Sequence, residues 1–375
     1  MLKILHTGDI HLDSPFSKLD ARRAEIRRGE LRTSFISMMQ YARKNAVDLI
    51  LIAGDLFDTE FVTRETMALI TREFSLFEGS IVISPGNHDC YAPGSVWERT
   101  AFSDNVYIFT EPTLSCFSFD TLGADVYGYA FTSPERTDCP LSGAEVNDPT
   151  RINLVCAHGD LASPLSRYSP ISRSDIVSFG ADYTALGHIH NPGAITKEAG
   201  AVYGYSGCLE GRGPDEIGPK GAVLLEIDKV GTEAEVHARR IRFSKRRYEE
   251  AQIDCTGAET LTAVESAMAD EIERRGFGED TLLRAVLTGA VSPSLIVDTR
   301  ALQSRFSDLF SVEIRDNTVP FLDPGEFEND RTVRGAFYRA MLEKIESGSP
   351  REREIAVLAL RYGLAAIAGE NVSDL

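Results

Sequence analysis

Asp48-Leu49-Ile50-Leu51-Ile52-Ala53-Gly54-Asp55-Leu56-Phe57-Asp58 sets an unbroken apolar run directly against a glycine and two carboxylates. Such a run reads as a strand buried on both faces, the kind found in parallel sheets covered by helices. Gly54 permits a tight turn at the end of the strand and close approach of the backbone to a ligand. Open α/β sheets bind their ligands at that end of their strands. The stretch therefore argues for an α/β fold with Asp55 at a functional edge.

The same arrangement recurs four times. Asp9-Ile10-His11 follows a strand-like segment at Leu2–Thr7, and Gly86-Asn87-His88-Asp89 follows one at residues 80–84. Ala157-His158-Gly159 and Gly187-His188-Ile189-His190 end the runs at 152–157 and 183–186. Five of the seven histidines lie in these motifs, which scattered core histidines would not do. Carboxylate, amide and imidazole donors in this mixture suit two closely spaced divalent ions that polarise phosphate oxygens. Asp9 and His11, two residues apart, project to one side of an extended segment, as do His188 and His190. Asp55 can bridge both ions and Asn87 offers a neutral oxygen. His158 and His188 can complete the second ion's set of ligands, and His190 the first ion's. His88 adjoins a ligand without being needed as one, so it is placed to protonate a leaving oxygen. The Asp58 carboxylate is the expected orienter of that ring, favouring its cationic form. His6 reads as packing at a strand end, and His237 has no ligand partners nearby.

Between the motifs, residues 31–46 and 65–77 have helical apolar spacing, with Met67, Ile70, Phe74 and Phe77 on one face of the second. Short strands are expected at 125–130, 201–205, 222–227 and 234–243. The first unit, residues 1–245, is thus a layered α/β sandwich. A small α/β cap or adaptor domain is expected over 251–322, built from strands at 252–255, 281–287 and 311–315 with helices near 261–272 and 301–309. A C-terminal helical segment follows over 326–375, with an apolar stripe of Val333, Phe337, Met341 and Ile345 suited to packing or to docking a partner.

The chain of 375 residues carries a net charge of −18, so a polyanion is not drawn to it by global attraction. Local positive charge would come from the metals and from two basic clusters. One is Arg22, Arg23, Arg27, Arg28 and Arg32. The other is Arg239, Arg240, Arg242, Lys245, Arg246 and Arg247. The first follows directly on a metal motif, so Arg22, Arg23 and Arg27 are candidates for substrate phosphate; the alternative is a solvated face. Six dispersed cysteines without a Cys-x-x-Cys pair, no long apolar run and a polar N-terminus lead to the expectation of a cytoplasmic protein without membrane contact.

The order Asp-x-His, Gly-Asp-x-x-Asp, Gly-Asn-His-Asp, His, Gly-His-x-His resembles the calcineurin-like metallophosphoesterase superfamily. Within it, the chain looks like the SbcD-type DNA repair exonucleases, bacterial counterparts of the eukaryotic meiotic-recombination nuclease. Asp9-Ile10-His11-Leu12-Asp13-Ser14-Pro15-Phe16, Gly54-Asp55-Leu56-Phe57-Asp58, Gly211-Arg212 and Gly218-Pro219-Lys220-Gly221 are similar to the YhaO-like branch. The resemblance implies a metallophosphoesterase β-sandwich flanked by helices. It implies a first metal on Asp9, His11, Asp55 and His190, a second on Asp55, Asn87, His158 and His188, and His88 as catalytic non-ligand. Manganese is the implied ion, and a metal-bridging hydroxide attacking phosphorus in line, with His88 assisting the leaving 3′ oxygen, is the implied reaction. Activity as a 3′ to 5′ exonuclease and single-strand endonuclease on DNA follows, with a coiled-coil SMC-like ATPase as partner; a homodimer is a further expectation. The competing readings are a small-molecule phosphodiesterase acting, for instance, on cyclic nucleotides, and a non-catalytic adaptor. The segment after residue 250 favours the nuclease, since a small substrate needs no such apparatus.

Overall fold

The computed structural model describes residues 1–59, 61–161, 163–292, 295–321 and 330–368. The chain divides into two compact units, Met1–Arg247 and Tyr248–Leu375. In the first, β1 (Leu2–Thr7) is followed by α1 (Ala21–Lys44), β2 (Leu49–Ile52), α2 (Arg64–Ser75) and β3 (Ser80–Ile83). A short α3 (Val96–Arg99) leads to β4 (Val106–Ile108). The pairs β1–β2, β2–β3 and β3–β4 are all parallel, as helical crossovers require.

A second sheet comprises β5 (Ser115–Phe119), β6 (Ala124–Gly128) and β7 (Ile152–His158). After α4 (Arg173–Phe179) come β8 (Tyr183–Gly187), β9 (Thr196–Glu198) and β10 (Ala201–Tyr205), giving the order β5-β6-β7-β8-β10-β9. The chain then rejoins the first sheet with β11 (Gly221–Val230), antiparallel to β1, and β12 (Glu233–Arg242) at the edge.

Side-chain alternation decides the layers. Leu49 and Leu51 of β2 enter the core between the sheets with Val126, Leu154, Cys156 and Tyr183. Ile50 and Ile52 face the other way, onto Phe35, Met38 and Met39 of α1 and Ile70 and Phe74 of α2. Opposite, Ile176 and Phe179 of α4 pack on Val155, Ala157 and Leu186. The result is helix, sheet, sheet, helix, with β1, β2, β3, β7 and β8 opening their C-terminal ends toward the five motifs.

α1 begins ten residues before the expected start at residue 31. Asp20 caps it, accepting from the Arg23 N–H at 2.9 Å, and its buried face runs Ala24, Arg27, Leu31, Ser34, Phe35, Met38. An arginine, Arg27, occupies a place where the helical period calls for a hydrophobe, which hid the first half. Arg27 is fully buried. Its guanidinium donates to Glu30 at 2.8 Å, to Glu210 at 2.7 Å and to the Gly211 carbonyl at 2.9 Å. The expectation that Arg27 meets substrate is therefore corrected: it clamps α1 to the 210–212 loop. Removing one partner of a buried pair strands the other charge. Arg27→Met should accordingly destabilise the first unit by about 3–5 kcal/mol. Urea unfolding followed by fluorescence of Trp97, the chain's single tryptophan and buried in this unit, checks it.

In the second unit, β13 (Arg247–Asp254), α5 (Leu261–Arg275), β14 (Thr281–Thr288), β15 (Ala290–Val291), α6 (Thr299–Arg305), β16 (Ser311–Asp316) and β17 (Val319–Pro320) follow in order. β13, β14 and β16 make a three-stranded sheet around a core that includes Val264, Met268, Leu283, Ala285 and Leu302. The expected boundary between cap and C-terminal segment lies outside the described residues. Beyond it, α7 (Val333–Ser347) and α8 (Pro350–Ala368) pack through Tyr338, Leu360 and Leu364, with Phe337, Met341 and Ile345 against them; Val333 is exposed. Among the described residues no helix is long and apolar enough to cross a membrane.

Candidate metal centre

The loops that leave β1 and β2 are stitched together by their backbones. Asp9 donates to the Gly54 carbonyl at 3.1 Å, His11 to Asp55 at 2.9 Å and Leu12 to Leu56 at 2.9 Å. Asp9, His11 and Asp55 have φ of 49°, 50° and 50°, and His188 has 108°. Non-glycine residues seldom hold such values without surrounding structure that enforces them, and such strain clusters at functional sites. Gly54, at φ 85°, leaves no room for a Cβ because His158 Nδ1 lies against it; at Gly86 the obstacle is Asp55 Oδ1. Glycine at both motif positions is what lets the side chains converge.

The tautomers can be read from the partners. His158 Nδ1 lies 3.0 Å from the Ala53 carbonyl, which can only accept, so Nδ1 carries the proton and Nε2 a lone pair. His190 Nδ1 lies 2.7 Å from Glu216 Oε1, and His11 Nδ1 faces Asp58 Oδ1 at 3.2 Å. The free lone pairs then oppose one another: His11 Nε2 and His190 Nε2 at 3.2 Å, His158 Nε2 and Asn87 Oδ1 at 2.9 Å. Asp55 Oδ2 lies 3.5 Å from His11 Nε2 and 3.6 Å from His158 Nε2, between the two groups. Acceptors facing acceptors repel unless a cation sits among them. Donors bound about 2.0–2.2 Å from one ion sit about 3–3.6 Å apart, so the spacing suits two ions. Close donor clusters form around Asp9–His11–His190, Asp9–Asp55–His158 and His11–Asp58–His88.

Burial, and then the Arg212 charge, holds His11 well below the usual imidazole range; burial, and then His158, holds His188 at about 4. Neutral imidazoles are what metal ligation requires. Burial works against charge on Glu216 too, yet its bonds from His190 and the Arg212 N–H keep it at about 2. A carboxylate that orients a ligand imidazole in this way fixes the ring and raises its basicity. Burial, reinforced by Asp55, pushes Asp89 up to about 7. Asp89 ties the third motif by accepting from Gly86 N–H at 2.8 Å and Phe57 N–H at 3.1 Å.

Asp9, His11, Asp55, Asn87, His158 and His190 are thus brought together. His188 stands slightly apart: its N–H donates to Asp9 at 2.9 Å, while its ring lies 5.2 Å from His158 and 4.8 Å from Tyr168. His88 is exposed, 4.8 Å from the His11 ring, and its Nδ1 donates to the backbone carbonyl of Asp58 at 2.9 Å. The orienting contact therefore comes from the Asp58 main chain. The Asp58 carboxylate is instead held by Arg212 and His11.

The basic clusters do not converge on this centre. Arg22 and Arg23 are exposed at the start of α1, with Arg23 paired to the Asp20 carboxylate at 2.8 Å, and Arg27 is the buried clamp. Arg240 donates to the Ser206 and Tyr205 carbonyls at 3.0 Å each, and Arg246 pairs with Glu30 at 2.6 Å. His6 is held by Tyr183 and the Leu186 carbonyl, and His237 is exposed beside Glu235. The cation that does reach the centre is Arg212, whose Nη2 lies 3.3 Å from His190 Nδ1. Neither Arg212 nor Glu216 stands in a periodic element. The signal for Arg212 was Gly211-Arg212, one of the stretches similar to the YhaO-like branch, which carried no role; Glu216 had none beyond lying in the same glycine-rich loop.

Comparison with known proteins agrees with this geometry. Residues 2–192 match the family model for calcineurin-like phosphoesterases. The chain is 28% identical over 307 residues to the uncharacterized metallophosphoesterase YhaO of Bacillus subtilis (strain 168), covering 79% of this chain and 74% of that protein. Identity to the DNA double-strand break repair protein Mre11 of Methanopyrus kandleri is 25% over 253 residues, covering 61% and 55%. With the SbcD subunit of the nuclease SbcCD from Staphylococcus epidermidis it is 29% over 239 residues, covering 55% and 62%. The chain thus spans less than two thirds of the length of the last two.

Proposed function

This chain belongs to the calcineurin-like phosphoesterase family, and on that premise we propose that it is a DNA nuclease subunit that hydrolyses phosphodiester bonds. Hydrolysis of phosphoesters with divalent metals comes with the family. The choice of DNA rests on relatives named for DNA break repair and for nuclease activity. The observation that carries the chemistry is the Asp55 carboxylate between two sets of facing lone pairs. We assign Asp9, His11, Asp55 and His190 to one ion and Asp55, Asn87, His158 and His188 to the other. The oxygen-and-imidazole donor set suits manganese. Bound there, the ions polarise phosphoryl oxygens and supply an activated water.

The remaining roles belong to the chain. His88, pinned through Nδ1 to the Asp58 carbonyl, keeps Nε2 to give a proton to the departing oxygen. Arg212, held in place by Asp58, presents a fixed guanidinium for a non-bridging phosphate oxygen. Glu216 locks the His190 ring. The exposed side chains Ile355, Leu358 and Tyr362 on α8 lie on one helical stripe, which supports docking of a coiled-coil ATPase on the C-terminal helices. A partner of that kind would also supply the positive charge that a chain of net charge −18 lacks for holding DNA.

The test is turnover by the manganese-loaded protein of end-labelled single- and double-stranded DNA beside cyclic nucleotides. Shortening of DNA from the 3′ end is the expected result. Efficient cyclic-nucleotide hydrolysis with intact DNA would overturn the nuclease reading in favour of a small-molecule phosphodiesterase.

A further inference from the structure

A cleft of about 570 Å³ is lined at one side by Asp58, Asn87 and His88. Its walls are mostly apolar: Phe61, Ala92, Pro93, Val96, Pro134 and Tyr168. Phe61 is 81% exposed, an unusual position for a large aromatic unless something covers it. It stands on a segment that is itself fixed, because the Asp13 carboxylate accepts from the Thr63 N–H at 2.8 Å and from Thr66 Oγ at 2.6 Å. Tyr168, on the loop after β7, is half-buried, its ring 4.8 Å from that of His188.

The charge of the lining narrows the occupant. Its carboxylates are already engaged: Asp58 is paired with Arg212, Glu135 with Arg167 at the rim, and Asp89 is buried and accepts from the Gly86 and Phe57 N–H groups; among the described lining residues there is no lysine or arginine. A second phosphate finds no cation in this lining, whereas a flat neutral ring is accepted by the aromatic faces of Phe61 and Tyr168. The volume lies within the range that buries a drug-sized group. The position fixes which part of a substrate comes here. With phosphorus at the ligand cluster, the side marked by His88 is the side of the departing oxygen.

We propose that this cleft receives the nucleobase of the nucleotide whose 3′ oxygen departs, stacked between Phe61 and Tyr168. This deepens the nuclease reading and rests on it for the identity of the ligand. Recognition by stacking is sequence-tolerant, because every base offers a π-face, so the cleft selects for the presence of a base and not for its kind.

Calorimetric titration of the manganese-loaded protein tests the cleft without turnover. The probes are thymidine 3′-monophosphate, which sets a base on the departing side, its abasic deoxyribose 3-phosphate analogue, thymidine 5′-monophosphate and inorganic phosphate. Thymidine 3′-monophosphate should bind at least about tenfold tighter than the abasic compound, within the range measured for single base–aromatic stacks. Phe61→Ala should remove most of that difference, leaving affinity for inorganic phosphate and thymidine 5′-monophosphate unchanged. Tyr168→Phe, which keeps the ring, should preserve it. Equal binding of the abasic and base-bearing 3′-phosphates by the wild-type protein, or a preference that survives Phe61→Ala, overturns the proposal. DNA cleavage without base discrimination defeats the cleft alone; base discrimination without DNA cleavage defeats the nuclease reading alone.

Discussion

Asp55→Asn is expected to strip the protein of most of its metal affinity and to lower its phosphodiesterase rate by at least about a thousandfold. The size follows from what the carboxylate faces. Its Oδ2 lies 3.5 and 3.6 Å from the Nε2 atoms of His11 and His158, one from each ligand group. A charge-stabilising contribution of several kcal/mol, at about 1.4 kcal/mol per decade, amounts to three decades or more. Asparagine is the informative replacement because it tolerates the left-handed backbone that Asp55 adopts at φ 50°. An Asn side-chain oxygen also preserves an acceptor for the His88 N–H, which now donates to Asp55 Oδ1 at 3.0 Å. The fold should therefore survive while the negative charge between the ligand groups does not. Metal content after dialysis, metal titration and the rate on a phosphodiester are the measurements. A variant that retained two ions and worked within tenfold of wild type would show that Asp55 does not bridge.

The parts of this centre that were legible in the sequence are those whose signal is local. A buried apolar run, a glycine and a hard ligand identify a strand end one motif at a time. Parallel pairing of β1, β2 and β3 then sets the first three motifs side by side. Features that depend on a distant partner were not legible. Arg27 reads as part of a basic run until Glu210, far along the chain, is seen to neutralise it. The same burial concealed the first half of α1, because an arginine held by carboxylates can occupy the core face of a helix. Arg212 and Glu216 sit in a loop whose course is set by tertiary contacts, among them the Lys220 ammonium bonded to Asn191 Oδ1 at 2.6 Å. Residue type alone points to the Asp58 carboxylate as the partner of His88. The choice between that carboxylate and the Asp58 carbonyl depends on where Arg212 lies, and the ion pair draws the carboxylate away from His88.

His88→Gln should lower kcat on DNA by about 10²–10⁴-fold, the usual range for removing a general acid, with both ions retained. The decisive feature is how the loss varies with the leaving group. A 3′ oxygen departs as a strongly basic alkoxide and needs a proton in the transition state, whereas a nitrophenolate is stable without one. On bis(p-nitrophenyl) phosphate the same variant should therefore fall by less than about tenfold if proton delivery is what His88 supplies. A residue that only held the phosphate would depress both substrates alike. The geometry favours the first outcome. The Asp58 carbonyl fixes the ring through Nδ1 at 2.9 Å, and the exposed ring lines the Phe61–Tyr168 cleft. Glutamine can still offer a hydrogen bond from a similar reach but has no proton to give, so it separates donation from contact. Equal losses on the two substrates, with metal content unchanged, would reassign His88 from acid to anchor and leave the departing oxygen to be served by solvent.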